Sequence, residues 1–297
     1  MADMAQPSAL PVPPRRPERL IELDEIGAVG DVARPLSWFE RLTQRTLVRR
    51  LMILVVLGIA WQAYASYLGN ALLFPTLTET FEALYDAVVN GPLIQRTLTS
   101  LQILLAGYAI GLTVAAVFTT VAVSTRIGTD LLSTLTAMFN PLPAIALLPL
   151  ALLWFGLGAK SLIFVIIHSV LWAVALNTHS GFTSVSQTLR MAGQNCGLRG
   201  LRYVAFLLVP AAFPSILTGL KIGWAFAWRT LIAAELVFGV SSRSGGLGWF
   251  IFENRNQLEI PSVFAGLFTV ILIGLLVESV VFRAIENATI KRWGMQS

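Results

Sequence analysis

Six long apolar runs are the feature that most constrains how this chain of 297 residues folds. A helix of about 20 apolar residues is long enough to cross the hydrocarbon core of a bilayer. Only 12% of the residues are charged, against about 25% in a typical soluble domain. The sequence therefore predicts an all-α integral membrane protein with six spans, at 51–69, 97–123, 131–155, 161–180, 211–237 and 262–284.

The third run is interrupted by three prolines, Pro141, Pro143 and Pro149. Proline removes a backbone donor, and within a membrane this is tolerated only where neighbouring protein or a cavity satisfies the freed groups. The pattern predicts a kinked span that is packed inside the bundle.

The distribution of Lys and Arg predicts the orientation of the spans, because cytoplasmic loops are enriched in these residues. With the N-terminus inside, the inner side receives Arg45, Arg49, Arg50, Arg126, Arg190, Arg199, Arg202, Arg283, Lys291 and Arg292. The outer side receives Arg96, Lys160, Arg243 and Arg255. Both termini are therefore predicted to be cytoplasmic. The net charge of +5 is explained by these loops and does not indicate nucleic-acid binding.

The segment before the first span is rich in proline and charge. Residues 1–35 lack the apolar core of a signal peptide and are predicted to be a disordered cytoplasmic tail. Residues 36–50 have the pattern of a basic amphipathic helix lying on lipid at the inner leaflet. An extension of the first span by an extra turn fits residues 36–50 equally well.

The chain lacks the motifs of an enzyme or of a cofactor site. It contains no Walker A motif, since Ala159 separates Gly158 from Lys160 in the similar stretch 156–161. The two histidines are eleven residues apart, too far along a helix to share a metal ion. A single cysteine excludes an internal disulfide and a cysteine-based metal cluster. The sequence predicts no metal, no bound cofactor and no catalytic residue.

Ionisable residues inside the spans are the candidates for a translocation path, because burying an unpaired charge in lipid is costly. We predict Arg229, Glu235 and His168 as such candidates, together with Trp228 and Asn140. Arg229 and Glu235 are six residues apart and cannot pair along one helix. Arg229 therefore needs an acidic partner on another helix, the favoured alternative, or an anionic ligand. For His168, a hydrogen bond to a helix carbonyl is favoured over contact with a solute.

The stretch "MAGQNCGLRGLRYVAFLLVP" falls in the longest cytoplasmic loop between spans, at 183–210. Its spacing resembles the coupling loop of ABC importer permeases, in which E-A-A is followed after three residues by Gly and after nine more by I-x-L-P. The identities agree at Ala192, Gly197 and Pro210. Met191 stands where the pattern has Glu, and Gly193 stands where it has the second Ala.

Further stretches extend the resemblance over about residues 50–295. "PLPAIALLPLALLWFGLGAKS", "FPSILTGLKIGWAFAWRTLIAAEL", "SGGLGWFI" and "KRWGM" are similar to the nitrate, sulfonate and taurine branch of these permeases. The resemblance implies a type I ABC importer permease fold over 51–290, in the bacterial inner membrane. It also implies a homodimer, two ATP-binding cassette subunits on the cytoplasmic face that bind ATP and Mg²⁺, and a periplasmic solute-binding protein.

The resemblance further implies that the loop couples ATP hydrolysis to transport. Small residues at Ala192 and Gly193 would admit the ATPase, Gly197 would end a helix in the left-handed conformation, and Pro210 would stop or kink the next segment. Arg199 and Arg202 would meet acidic residues of the ATPase or lipid phosphates.

The expected solute is a small anion such as a sulfonate, taurine or nitrate. Bicarbonate, aromatic or thiamine-precursor-like solutes are alternatives within the same branch. A secondary carrier driven by an ion gradient is an alternative from another class, although no inverted repeat is visible in the sequence.

Overall fold

The computed structural model describes residues 46–238 and 245–292, and every regular element within these ranges is helical. The α-helices are α1 (Thr46–Leu68), α2 (Leu77–Val89), α3 (Leu93–Ser124), α4 (Arg126–Phe139), α5 (Leu148–Phe155), α6 (Ala159–Ser184), α7 (Gln187–Asn195), α8 (Gly200–Tyr203), α9 (Val209–Phe238), α10 (Leu247–Asn256), α11 (Ile260–Leu276) and α12 (Arg283–Glu286). A 3₁₀-turn (Ala144–Leu147) precedes α5, and π-turns occupy Val204–Leu208, Val277–Phe282 and Asn287–Lys291.

The predicted spans are confirmed as helices of the length and apolarity that a membrane requires. Five continuous helical stretches meet this condition, at Thr46–Leu68, Leu93–Ser124, Ala159–Ser184, Gly200–Val237 and Ile260–Lys291. The sixth is the pair Arg126–Phe139 and Ala144–Phe155 taken together. Residues 46–50 of the predicted surface helix belong to α1. Residues 36–45 and the predicted tail 1–35 lie outside the described residues.

The central layer of the bundle is α6 between α3 and α9, and α6 is the most deeply buried of the candidate spans. Small residues allow this close packing, as they do generally between membrane helices. A Cβ atom on Gly107 or Gly111 of α3 would lie 2.7–2.8 Å from side-chain carbons of α6. On the other side, Gly219 of α9 approaches Asn177 in the same way.

The third span turns a corner rather than bending gently. α4 ends at Phe139, and its axis makes an angle of 86° with that of the helical segment beginning at Ala144. Pro141 and Pro143 lie in this break and cannot donate the backbone hydrogen bonds that would continue the helix. The predicted kink is confirmed. The predicted packing inside the bundle is met on one side only: Leu148 and Ala151 of α5 are buried, whereas Leu153 and Trp154 are exposed.

A second group of helices consists of α1, α2 and α11, which contact one another through aromatic side chains. α2 begins with a capping box, in which Thr76 and Glu79 satisfy each other's backbone N–H groups. Phe81 of α2 meets Phe268 of α11 edge-on, with ring centroids 5.5 Å apart. Trp61 of α1 donates a hydrogen bond to the Pro75 carbonyl at 2.9 Å. These contacts hold the segment between the first two spans against α11.

Candidate functional site

A cavity of about 360 Å³ lies where the corner of the third span meets α6 and α9. It is called the central cavity below. The corner contributes its proline-rich backbone, and the two helices contribute most of the polar side chains. Its lining consists of Asn140, Pro141, Leu142, Pro143, Ala144, Ile145, His168, Ser169, Trp172, Phe226, Arg229, Thr230 and Ala233.

Three of the five predicted path residues meet in this cavity. Asn140 caps the end of α4, His168 lies in α6, and Arg229 lies in α9. They are separated by up to 89 positions in sequence, and the fold brings them to one lining. Trp228 and Glu235 do not line the central cavity.

His168 has an imidazole whose two nitrogen atoms are both buried and lack hydrogen-bond partners among the described residues. The indole Nε1 of Trp172, one helical turn further on, is in the same condition. The predicted hydrogen bond from His168 to a helix carbonyl is therefore wrong. Buried polar atoms without partners are rare in folded proteins, and here they line a cavity large enough to hold a ligand.

Aromatic rings support the imidazole from two sides. Phe139 stacks on Trp172 with ring centroids 5.4 Å apart and an interplanar angle of 12°. Each of these two rings lies nearly perpendicular to the His168 imidazole, at a centroid distance of 6.4 Å for Phe139 and 6.2 Å for Trp172. The sequence analysis missed Trp172, although its position four residues after His168 places it on the same helix face.

Arg229 has no carboxylate within 4 Å in the part of the chain that the structure describes. Its Nε donates to the Ala225 carbonyl of its own helix at 3.0 Å, and its guanidinium lies 5.2 Å from the centre of the Phe226 ring. The favoured prediction of an inter-helix ion pair is not met in these residues. Lys221, two turns earlier, does pair with Glu286 at 2.7 Å.

The polar groups of the central cavity suit a ligand with negative charge. Arg229 supplies a permanent positive charge with several N–H donors. The Trp172 indole supplies another N–H donor, and His168 and the Asn140 amide can each donate. Among the described residues, no carboxylate lines this cavity. Ser169 and Thr230 add hydroxyl groups, but these already share a hydrogen bond at 2.9 Å.

Glu235 occupies a closed site on the same helix as Arg229. It is fully buried and accepts hydrogen bonds from Ser100 Oγ, at 2.8 and 2.9 Å to its two oxygens, and from the Gly248 amide at 2.8 Å. The Leu247 amide donates in turn to Ser100 Oγ at 2.7 Å. The carboxylate thus holds the start of α10 against α3 and α9. This is a position for a structural anchor and gives no access to a solute.

Trp228 is also engaged within the fold. Its Nε1 donates to the Val270 carbonyl of α11 at 3.2 Å. Together with Arg229 it lines a second cavity of about 360 Å³, called the lateral cavity below. The lateral cavity is lined by Lys221, Ile222, Trp224, Ala225, Trp228, Arg229, Gly274, Glu278 and Phe282. Arg229 is therefore shared by the two cavities.

The loop singled out by its spacing forms a short helix and a tight turn. α7 ends in a Schellman motif, in which the Leu198 amide bonds to the Gly193 carbonyl at 3.0 Å and the Gly197 amide to the Gln194 carbonyl at 2.9 Å. Gly197 has φ = 80°, so the predicted left-handed helix end is confirmed. Arg190 donates to carbonyls at the end of α6 and fixes α7 to it.

The small residues of this loop have different environments. Gly193 is buried, and a Cβ atom on it would collide with the side chain of Leu207. Its small size therefore serves packing within the chain, which corrects the expectation that it admits a partner. Ala192 and Met191 are exposed and form part of the outer face of α7.

Pro210 does not stop the segment that follows the loop. A single helical stretch runs from Gly200 to Val237, and the π-turn Val204–Leu208 ends two residues before Pro210. The prediction of a helix stop is wrong. A π-turn shifts the backbone hydrogen-bond pattern by one residue, so the missing N–H and the proline ring are accommodated without a break.

The two arginines of the loop are exposed, and neither has a carboxylate within 4 Å among residues 46–238 and 245–292. Arg199 also lines a surface cavity of about 430 Å³ with Gln194, Asn195, Leu198, Gly200 and Tyr203. The Tyr203 hydroxyl is buried there without a described partner. No group of three or more His, Cys, Asp or Glu side chains forms a metal site within the described ranges.

Helices long and apolar enough to span a membrane, together with an open cavity lined by hydrogen-bond donors, are typical of a transport protein. Residues 107–288 match the sequence pattern of the binding-protein-dependent transport system inner membrane component. The match covers more than half of the chain, and the protein belongs to this family of ABC transporter permeases.

Named relatives agree with this membership. The chain is 29% identical to the taurine transport system permease protein TauC of Escherichia coli over 252 residues, which is 83% of this chain and 90% of TauC. It is 30% identical to the nitrate import permease protein NrtB of Synechocystis sp. over 243 residues, covering 78% of this chain and 86% of NrtB.

Proposed function

We propose that this chain is the permease subunit of an ATP-driven importer for a small anionic solute. A periplasmic binding protein delivers the solute, and two ATP-binding cassette subunits on the cytoplasmic face supply the energy. The permease works as a homodimer in the bacterial inner membrane, with both termini in the cytoplasm. It hydrolyses no ATP itself.

The observation that carries this proposal is the environment of Arg229. A guanidinium at membrane depth is costly unless an opposite charge or water compensates it. Arg229 has no carboxylate within 4 Å among the described residues, and it lines a cavity with His168 and Asn140. An anionic solute supplies the missing charge.

The names of the relatives point to the same chemistry. TauC is described as a taurine permease and NrtB as a nitrate permease. Both solutes carry an oxyanion group, which a guanidinium binds well because its N–H groups can form two parallel hydrogen bonds. We expect the oxyanion of the solute to meet Arg229, with the Trp172 N–H as a second donor.

The exposed face of α7 is proposed as the contact with the ATPase. Met191, Ala192, Arg199 and Arg202 are available on that face or beside it, whereas Gly193 is covered by Leu207. Closure of the ATPase dimer on ATP would push on α7, and the single stretch from Gly200 to Val237 would carry the movement to Arg229.

The anion site is tested with Arg229→Ala and Arg229→Lys in proteoliposomes that contain the permease, its ATPase and its binding protein. Uptake of taurine and of nitrate is measured with ATP inside. We expect Arg229→Ala to reduce uptake about tenfold or more, since a charge-assisted hydrogen bond contributes about 1.5–3 kcal/mol. Arg229→Lys retains the charge and keeps part of the activity.

Arg255→Ala is the matched control, because Arg255 is an exposed arginine of α10 that lines neither cavity. It should leave uptake unchanged. Uptake of every solute at the wild-type rate by Arg229→Ala would remove Arg229 from the path. Transport by the permease alone, in liposomes without ATP, would instead identify a secondary carrier.

The coupling role is tested with Gly197→Val. A β-branched residue is strained at φ = 80°, so the Schellman turn after α7 should distort. Uptake and solute-stimulated ATP hydrolysis should fall together. Gly69→Val is the control: Gly69 has φ = 60° and open space around it, but it follows α1, far from α7 in the chain. Normal coupling in Gly197→Val would contradict the proposed role.

A further inference from the structure

Arg229 lines both the central and the lateral cavity, and among the described residues its guanidinium group contacts only α9. The central cavity contains His168 on one side, and the lateral cavity contains Glu278 on the other. The described contacts of the guanidinium group are a hydrogen bond to Ala225 and the ring of Phe226, both on α9 itself. Neither contact links it to another helix, so the guanidinium is free to turn towards either cavity.

Glu278 is the acidic counterpart of Arg229 across the lateral cavity. It is exposed to that cavity and has no basic group within 4 Å in the described part of the chain. At membrane depth a carboxylate is as costly as a guanidinium when it is unpaired. Two opposite charges therefore share one cavity without a direct ion pair.

α9 and the last helical stretch each contribute one of these charges to the lateral cavity. Lys221 of α9 pairs with Glu286 at 2.7 Å, and Trp228 bonds to Val270, so α9 and the last helical stretch run antiparallel. Arg229 lies eight residues after Lys221, and Glu278 lies eight residues before Glu286. The ion pair alone would set Arg229 level with Glu278, whereas the Trp228–Val270 bond sets Arg229 level with a residue up to nine positions before Glu278, or about 13 Å along the helix. The two charges therefore line the same cavity with an offset along the helix axes that is at most about 13 Å.

A π-turn brings Glu278 to the face that carries Glu286. Eight residues exceed two turns of a regular α-helix by slightly less than one residue. The π-turn Val277–Phe282 contains Glu278 and the first residues of the step towards Glu286, and it takes up one extra residue. Gly274, one turn before Glu278, leaves room beside Trp228, since a Cβ atom there would still be 3.8 Å from Nε1.

We propose that Glu278 is a positioning residue that draws the Arg229 guanidinium away from the solute anion in each transport cycle. The inference rests on the proposed function, because it takes the anion to be bound by Arg229 in the central cavity. While the guanidinium faces the central cavity, the anion is held. When the guanidinium pairs with Glu278, the anion loses its counter-charge and is released.

Proximity is tested by cross-linking, which needs no solute. In a Cys196→Ser background the described chain has no other cysteine, and Arg229→Cys and Glu278→Cys are introduced together. The permease with its ATPase is treated with a short bis-methanethiosulfonate reagent, both without nucleotide and after trapping with MgATP and vanadate. We expect cross-linking whose yield differs severalfold between the two states.

Lys221→Cys with Glu286→Cys is the control pair, and it should cross-link equally in both states because that ion pair is already formed. Absence of cross-linking between positions 229 and 278 in both states would overturn the proposal. Equal yields in the two states would overturn it as well.

The charge of Glu278 is tested by ATP-driven uptake of taurine or nitrate, whichever the wild-type transporter imports. Glu278→Gln should lower KM and kcat together by at least about fivefold, because the anion is then held too firmly. Glu278→Asp should restore both. A merely structural residue would lower kcat without lowering KM, and that result contradicts the proposal. Unchanged KM and kcat in Glu278→Gln, with uptake still reduced in Arg229→Ala, would contradict this inference alone. No effect of Arg229→Ala on any anion would contradict the proposed anion site and this inference with it.

Discussion

Glu235 and Arg229 are six residues apart on α9, both have ionisable side chains within a candidate span, and their surroundings are opposite. The Glu235 carboxylate is fully buried and accepts hydrogen bonds from Ser100 and Gly248. The Arg229 guanidinium is exposed to two cavities and bonds only within its own helix among the described residues. One helix thus carries a closed polar site and an open one.

The difference separates charges that build the fold from charges that await a ligand. A buried polar group that is fully paired stabilises one arrangement, and removing its partner costs the desolvation of what remains. A polar group that lines a cavity without a partner contributes little to stability, so its removal is expected to affect binding instead. Mutations at the two sites should therefore affect different measurements.

The largest expected effect is on stability, from Glu235→Ala. The change leaves the Ser100 hydroxyl and the Gly248 amide without their acceptor, so unfolding should become easier by about 2–5 kcal/mol. Thermal unfolding of the purified permease in detergent measures this as a lower Tm. Glu82→Ala, at an exposed position of α2, is the control and should not lower Tm. An unchanged Tm for Glu235→Ala would remove the distinction between the sites.

A smaller effect is expected from Gly246→Ala, which narrows the closed site without removing its charge. The added Cβ atom would collide with the Glu235 carboxylate and with Ser100 Oγ. Overpacking of this kind costs about 1–3 kcal/mol. Tm should fall by less than in Glu235→Ala. In the double variant Glu235→Ala/Gly246→Ala, part of the Tm decrease caused by Gly246→Ala should disappear, because the carboxylate is no longer there. If the two Tm decreases were fully additive, the added Cβ atom would not be colliding with the Glu235 carboxylate.

The smallest stability effect is expected from His168→Phe in the open site. The substitution removes two buried nitrogen atoms that have no described partner, so Tm should stay the same or rise slightly. Anion uptake should nevertheless fall, because a donor towards the central cavity is lost. Trp172→Phe also removes an unpaired N–H from this lining, but it shortens a buried ring that stacks on Phe139, so both Tm and anion uptake should fall. A large fall in Tm for His168→Phe would show that His168 belongs with the closed site.

The spans could be predicted because their lengths follow from the thickness of a bilayer. The turn after α7 could be predicted because left-handed backbone favours glycine. Gly197 is the clearest case, since one residue type and one φ value correspond directly. The sequence also shows which ionisable residues lie within the spans. It does not show which of them are paired in the fold. Ser100 lies 135 residues from Glu235, and no local pattern connects them.

The angle of the corner in the third span could not be predicted from the sequence, although the presence of a kink could. Three prolines indicate a kink, but its size depends on what packs against both arms. The value of 86° arises where α4, α6 and α9 leave a cavity between them. The π-turn before Pro210 escaped prediction for a similar reason, because proline is compatible both with a helix end and with a shifted hydrogen-bond pattern.

The corner between α4 and α5 has a mechanical consequence. Pro141 and Pro143 each have a φ angle locked by the pyrrolidine ring, and each restricts the residue before it. A segment with so few free backbone torsion angles is expected to be rigid and not to act as a hinge. We therefore expect the wall of the central cavity that contains Pro141 and Pro143 to keep its shape during transport. On that expectation, a change in the volume of the cavity requires α6 or α9 to shift against this wall.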